Sequence, residues 1–212
     1  MTRSPVVEPS EYERLGYRLV ELDGRQVSLP VVALASLGLG PQDPVPAHLQ
    51  SRLEELARTE LTYQVALRAL SARARAGAEL RRWLLDRYHH AKAVETALDR
   101  LALGGWLDDR RFALEYVARR ARAGRGPARL VTDLMARGVE RATAETAVRE
   151  ALAESGEDPE RRAEALARRR APHLSGLAPA VRRRRLLGYL ARRGFRGPSV
   201  GLLVARVCQE SP

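Results

Sequence analysis

Three leucines, Leu84, Leu134 and Leu190, stand at corresponding points of three stretches that follow one another along the chain. Four residues after each comes Tyr88, Gly138 or Gly194, and one further on His89, Val139 or Phe195. Six and ten residues past that corner the pattern continues, through Val94, Ala144 and Val200 and then Leu98, Val148 and Val204. The offset is a constant 50 residues between the first two copies, with Leu67 on Val117 and Leu80 on Leu130, and 56 for the third. The extra length falls in a proline-bearing joint from Pro172 to Pro179. A period of this size with helical spacing of apolar residues predicts a repeat architecture whose units mainly contact their neighbours.

The punctuation supports helices. Gly104 and Gly105 can end one, and Trp106 and Leu107 are expected to drop into a core. Asp108 or Asp109 supplies a carboxylate cap for the next helix. Gly124 and Gly126 interrupt the chain again, and Pro127 restarts it at a first-turn position. Expected helices are 62–75, 78–88, 91–103, 109–123, 127–137, 141–153, 159–170, 179–193 and 197–209. Three of them make each unit, giving repeats at 61–106, 107–156 and 157–212. Residues 1–60 read as an extension: a loose arm over 1–12, a β-hairpin over 15–29 turning at Asp23-Gly24, a short helical turn from Val31, and an amphipathic helix from Ala47 to Arg58.

Charge divides the chain in the same place. Residues 1–60 carry net −3, and residues 61–212 carry net +14. Between Arg161 and Arg196 there are 12 arginines and one acidic residue, Glu164. Two clusters follow as candidate contact surfaces for a polyanion or an acidic groove: Arg119, Arg120, Arg122, Arg125 and Arg129 around the Gly-x-Gly-Pro turn, and Arg182, Arg183, Arg184, Arg185, Arg192, Arg193 and Arg196. Some of these arginines must be solvated or cap helix ends, because consecutive residues on a helix cannot all face one partner. Phe195 and Trp106 are assigned first to packing, with base stacking as the alternative.

No catalytic constellation emerges. Asp108 and Asp109 are adjacent and diverge at a helix start, where capping accounts for them. His89 and His90 have poor spacing for two ligands on one helical face, and no cysteine cluster supports a metal. The turn Gly124-Arg125-Gly126-Pro127 lacks the preceding strand and the following Lys-Ser/Thr of a phosphate loop. The expectation is a non-enzyme without cofactor or metal. The single cysteine, Cys208, excludes an internal disulfide and fits a reducing compartment. The longest apolar run, Leu29 to Gly40, is too short to span a bilayer. A cytoplasmic protein with no membrane partner is expected.

The runs Gly105-Trp106-Leu107-Asp108-Asp109-Arg110-Arg111-Phe112-Ala113 and Gly124-Arg125-Gly126-Pro127-Ala128-Arg129-Leu130 resemble those of the RecX family of recombination regulators. Leu134 to Val139 and Leu190 to Phe195 add to the likeness, which covers about residues 62–207. The family motif residues Trp106, Leu107, Asp108, Asp109, Arg111, Phe112, Gly124, Gly126, Pro127, Gly194 and Phe195 are read as mainly structural. One departure stands out: where the family usually has a serine before its Glu-Leu pair, Gly77-Ala78 precede Glu79-Leu80, which weakens the expected N-cap. The resemblance implies an all-α fold of three tandem three-helix, helix-turn-helix-like repeats in an elongated curved array, with the hairpin-bearing extension of longer members. It further implies a monomer that binds RecA on single-stranded DNA, binds single- and double-stranded DNA more weakly, and restrains strand exchange, ATP hydrolysis and LexA co-cleavage. The rival expectation is a stand-alone basic DNA-binding regulator.

Overall fold

The computed structural model describes residues 16–40, 43–87, 89–156 and 158–210. The arm expected over 1–12 lies outside them. Strands β1 (Tyr17–Leu22) and β2 (Arg25–Pro30) form an antiparallel hairpin with Val20 opposite Val27. Its two turn residues, Asp23 and Gly24, both have positive φ (48° and 72°), the conformation of a two-residue turn matched to strand twist. Ten α-helices follow among the described residues: α1 (Val31–Ala35), α2 (Gln50–Ala72), α3 (Gly77–Leu85), α4 (Ala91–Leu103), α5 (Asp109–Arg122), α6 (Pro127–Met135), α7 (Arg141–Glu154), α8 (Pro159–Arg170), α9 (Pro179–Arg193) and α10 (Pro198–Glu210). From α2 onward they make three successive helix triplets.

The chain folds as two compact units that interleave in sequence. One comprises residues up to Arg73 together with Leu80–Trp106; the other comprises Ala74–Glu79 together with the residues from Leu107 on.

In the first unit, the boundary expected at residue 60 falls inside α2, which runs unbroken for 23 residues. The expected separate helices 47–58 and 62–75 are therefore one. No glycine or proline lies between Gln50 and Ala72, so a change in charge there does not interrupt the backbone. The hairpin packs its Val20, Leu22 and Leu29 with Leu34, Leu39 and Leu53 around the first half of α2, so the extension shares a helix with the first repeat. A buried carboxylate fastens the arrangement. Glu60, 2% exposed, accepts from the Tyr17 hydroxyl (2.9 Å), Gln64 Nε2 (3.3 Å) and Arg100 of α4 (2.6 Å). Arg100 also lies over the Tyr63 ring, 3.9 Å from its centroid. Burial works against the Arg100 charge, but the hydrogen bond and charge of Glu60 outweigh it and hold the guanidinium above its ordinary value.

The repeating Leu-x-x-x-Gly-apolar corner now has a physical cause. At the end of α6 the Gly138 N–H donates to Met135 O and the Val139 N–H to Leu134 O; at the end of α9 the Gly194 N–H donates to Ala191 O and the Phe195 N–H to Leu190 O. Each is a helix stop in which a left-handed residue lets the next apolar residue fold back on the last turn. Gly138 (φ 90°) and Gly194 (φ 93°) occupy the left-handed position, and Val139 and Phe195 are buried behind them. The His89 N–H to Leu84 O bond (3.4 Å) is the counterpart in the first copy.

Trp106 departs from expectation. At the end of α4 the chain turns with Gly105 N–H on Ala102 O and Trp106 N–H on Leu101 O, which leaves the indole over Gly104 and 60% exposed. Phe195 does enter a core, with Leu186, Leu190 and Val204. Helices α3 and α6 end at Leu85 and Met135, earlier than expected. The weak N-cap at Gly77 is supplied from elsewhere in the chain. Asp109, at the start of α5, accepts the Gly77 N–H at 2.8 Å, while Asp108 caps α5 itself through the Arg111 N–H at 2.9 Å.

Gly194→Ala would place a Cβ 2.4 Å from Arg129 Cβ on a left-handed backbone. It is expected to lower stability by about 2–4 kcal/mol in urea titration, whereas Gly176→Ala, with open space around it, stays within about 0.5. The Tyr17 phenol is pushed above its ordinary value of 10.0 by burial and then by the Glu60 hydrogen bond and charge. A raised pKa in the folded state means the stabilisation is complete below pH 10.0 and is lost as pH rises through the folded value. Tyr17→Phe should therefore cost about 1 kcal/mol at pH 7 and remove that alkaline loss in thermal melts followed against pH.

Candidate functional site

The second unit brings Arg125 and Arg129 of the first arginine cluster beside Arg192, Arg193 and Arg196 of the second. Helix α6 starts after Gly126, and its first free amides would ordinarily point at solvent or a ligand. Here they receive the end of α9: the Gly126 N–H donates to Arg193 O at 2.6 Å and the Ala128 N–H to Gly194 O at 3.2 Å. The contact requires glycine on both sides. A Cβ on Gly126 would lie 2.7 Å from the Gly194 carbonyl carbon. The Gly-x-Gly-Pro turn is thus no phosphate cradle, because these amides are already bonded to a helix C-terminus.

Beside this junction opens a cleft of about 610 Å³ whose walls carry Arg125, Arg129, Arg192, Arg193 and Arg196 between small residues, Gly124, Ala128 and Ala191 among them. A second cleft, about 490 Å³, adjoins it along α9 and is lined by Arg170, Arg184, Arg185, Tyr189 and Arg192. Arg192 belongs to both. Arg193 and Arg170 lie over the Tyr189 ring, at 4.8 and 5.8 Å from its centroid, so one aromatic ring attracts cations of both clefts.

The remaining expected arginines are placed differently. Arg182 is 7% exposed, and its guanidinium donates to the Cys208 carbonyl in α10. The expectation of a contact surface at Arg182 is corrected accordingly: it faces inward on α9, alongside buried Leu186, and serves packing. Arg119, Arg120 and Arg122 at the end of α5, and Arg183 on α9, are exposed and line neither cleft. Arg119 donates to the Glu115 carbonyl of its own helix at 3.3 Å.

The residue that sequence reasoning misses is Asp133. It is 7% exposed on α6 and forms ion pairs with Arg125 through Oδ2 and with Arg129 through Oδ1 (3.0 Å). The Tyr116 hydroxyl donates to Oδ2 at 3.3 Å, and Arg137 donates to the Asp133 carbonyl at 2.7 Å. The i,i+4 spacing from Arg129 is a visible signal; the approach of Arg125 and Tyr116 is not. Among the described residues, no group of three or more His, Cys, Asp or Glu is placed to hold a metal ion, and no helix is long and apolar enough to cross a membrane.

Fold and site together define a protein of tandem three-helix units with an arginine-lined cleft at the junction between the second and third. Family models for the first, second and third three-helix domains of RecX match residues 63–101, 108–148 and 157–198. The chain is similar to the regulatory protein RecX of Xanthomonas axonopodis pv. citri (strain 306), 38% identical over 137 residues, spanning 65% of this chain and 82% of that one. It is also similar to the regulatory protein RecX of Mycobacterium ulcerans (strain Agy99), 36% identical over 156 residues, 72% of this chain and 84% of the relative. A crystal structure of regulatory protein RecX superposes with a TM-score of 0.74 at 19% identity, covering 91% of this chain and 96% of that chain. RecX from Lactobacillus salivarius gives 0.62 at 18%, covering 71% and 96%; at such identities these likenesses speak for the fold. The chain belongs to the RecX family, a family of regulatory proteins.

If the clefts rather than overall charge bind polyanions, position matters at constant charge change. Arg192→Glu with Arg196→Glu should weaken binding to a single-stranded oligonucleotide by about tenfold or more, measured by fluorescence anisotropy. Arg119→Glu with Arg183→Glu, outside both clefts, should have a much smaller effect.

Proposed function

We propose that this protein is a negative regulator of RecA that binds in the groove of the RecA–single-stranded-DNA filament. There it blocks extension or promotes disassembly, and so restrains strand exchange, ATP hydrolysis and LexA co-cleavage. It acts as a cytoplasmic monomer, without cofactor or catalysis of its own, and binds bare DNA more weakly than the filament. The observation that carries the reading is the pair of adjoining arginine clefts along α9, in a chain whose relatives are named regulatory proteins. Five arginines around one cleft, with a single buried carboxylate behind them, form a concentrated positive surface. Such a surface captures polyanions by displacing their counterions, and this makes binding salt-sensitive and indifferent to base sequence. A filament groove adds specificity by presenting DNA phosphates and RecA side chains at fixed spacing, so several weak contacts are made at once.

The test is a titration into RecA hydrolysing ATP on single-stranded DNA, with binding to bare DNA measured in the same buffer. Inhibition well below one molecule per RecA protomer, at salt that abolishes binding to bare DNA, is the expected result. Inhibition that appears only when the DNA is saturated would replace this reading with a stand-alone DNA-binding regulator.

A further inference from the structure

The cleft at the junction of α6 and α9 has a composition that points to its ligand. Its walls are glycine, alanine, threonine and arginine, with no large apolar or aromatic side chain among them. Phe195 beside it is turned into the core at 4% exposure. Protein partners are usually anchored by bulky apolar or aromatic residues that fill pockets, and base readers present an exposed ring for stacking. Neither is present here. A smooth, repetitive, charged chain fits such walls: the phosphodiester backbone, gripped by guanidinium forks and with its bases facing away.

Arginine forks bind phosphate well only when their long side chains are held in place. Asp133 does this for two of the five. It meets Arg129 through Nε and Arg125 through one terminal nitrogen, so each guanidinium keeps its other nitrogens for the cleft that it lines. The carboxylate is itself fixed by burial and by Tyr116. We infer that the cleft takes the backbone of a single DNA strand and that Asp133 is the positioning residue that sets its Arg125–Arg129 fork. This rests on the filament reading only in choosing DNA as the polyanion.

Asp133→Asn makes the protein more positive by one charge, which by field alone would tighten binding to DNA. With the fork released, two side chains must instead be ordered by the ligand, and affinity for a labelled oligothymidine is expected to fall by about tenfold. The slope of log affinity against log salt should become shallower by up to about 0.7 for each phosphate no longer engaged, a change that a merely structural role would not produce. In an Arg125→Ala, Arg129→Ala background, Asp133→Asn should have no further effect. An abasic strand of equal length should bind as the oligothymidine does.

Circular dichroism melts of the full chain report whether Asp133→Asn folds. If it does not, Arg125→Lys with Arg129→Lys keeps the charge while removing the fork, and it should weaken binding and flatten the salt slope in the same way. Unchanged or tighter binding by the folded Asp133→Asn protein, or by the lysine variant, overturns the positioning role. Competition by a polyglutamate peptide but not by the abasic strand overturns the choice of ligand in favour of an acidic protein surface. Failure of the filament reading shows differently, as RecA inhibition only at DNA-saturating levels, with the effect of Asp133→Asn on the oligothymidine intact.

Discussion

The second unit depends on one backbone contact, the end of α9 set against the start of α6. Two carbonyls with no partner in their own helix meet two amides with no partner in theirs, so each helix satisfies the other's terminal groups. The opposed partial charges of the two helix ends make the contact electrostatically favourable as well. It is possible only because Gly126 and Gly194 have no side chains to keep the backbones apart. A second close approach falls where the end of α6 meets the start of α3, since a Cβ on Gly138 would lie 2.3 Å from that of Ala78. Two residues of the family motif, Gly126 and Gly194, thus serve in this chain to join one repeat to the next.

This junction also accounts for where the charge can be concentrated. Arginines crowded on one helix repel one another and splay outward. Arginines contributed from two helix ends can surround a space. The fold limits the cost by embedding fixed partners behind them, the Asp133 carboxylate and the Tyr189 ring. Glu60 is used comparably in the first unit, where one buried carboxylate gathers the hairpin, α2 and α4. In both units a buried acid with several donors adds a directional tie beside the apolar core.

Helix starts are legible in the sequence because proline, aspartate and glycine mark them locally. Helices 91–103, 159–170 and 179–193 have the expected bounds. The continuity of α2 is harder to see, because a shift in charge beside a proline-bearing linker resembles a boundary, although nothing between Gln50 and Ala72 disfavours helix. Hydrophobicity alone would send Trp106 into a core, whereas its orientation is set by the hydrogen bonds that end α4. Both arginine clusters and both glycines are visible in the sequence, but not that Gly126 touches Gly194, and that contact sets Arg125 and Arg129 of one run around the same cleft as Arg192, Arg193 and Arg196 of the other. Asp133 is illegible for a related reason: on its helix it is an ordinary i,i+4 partner, and its burial comes from residues of the preceding loop and helix.

The cap that Asp109 places on Gly77 has a bearing on how the chain is made. Residues 74–79 fold with the sequence from 107 onward, although α3, which they begin, continues into the other unit. On the ribosome, the opening turn of α3 emerges first and keeps a bare amide until the carboxylate that serves it has been synthesised and has cleared the exit tunnel. The opening segment of the second unit therefore waits for its partners until the last residue of the first unit has been translated. No single cut of the chain separates the two units, because residues 74–79 of one lie between segments of the other.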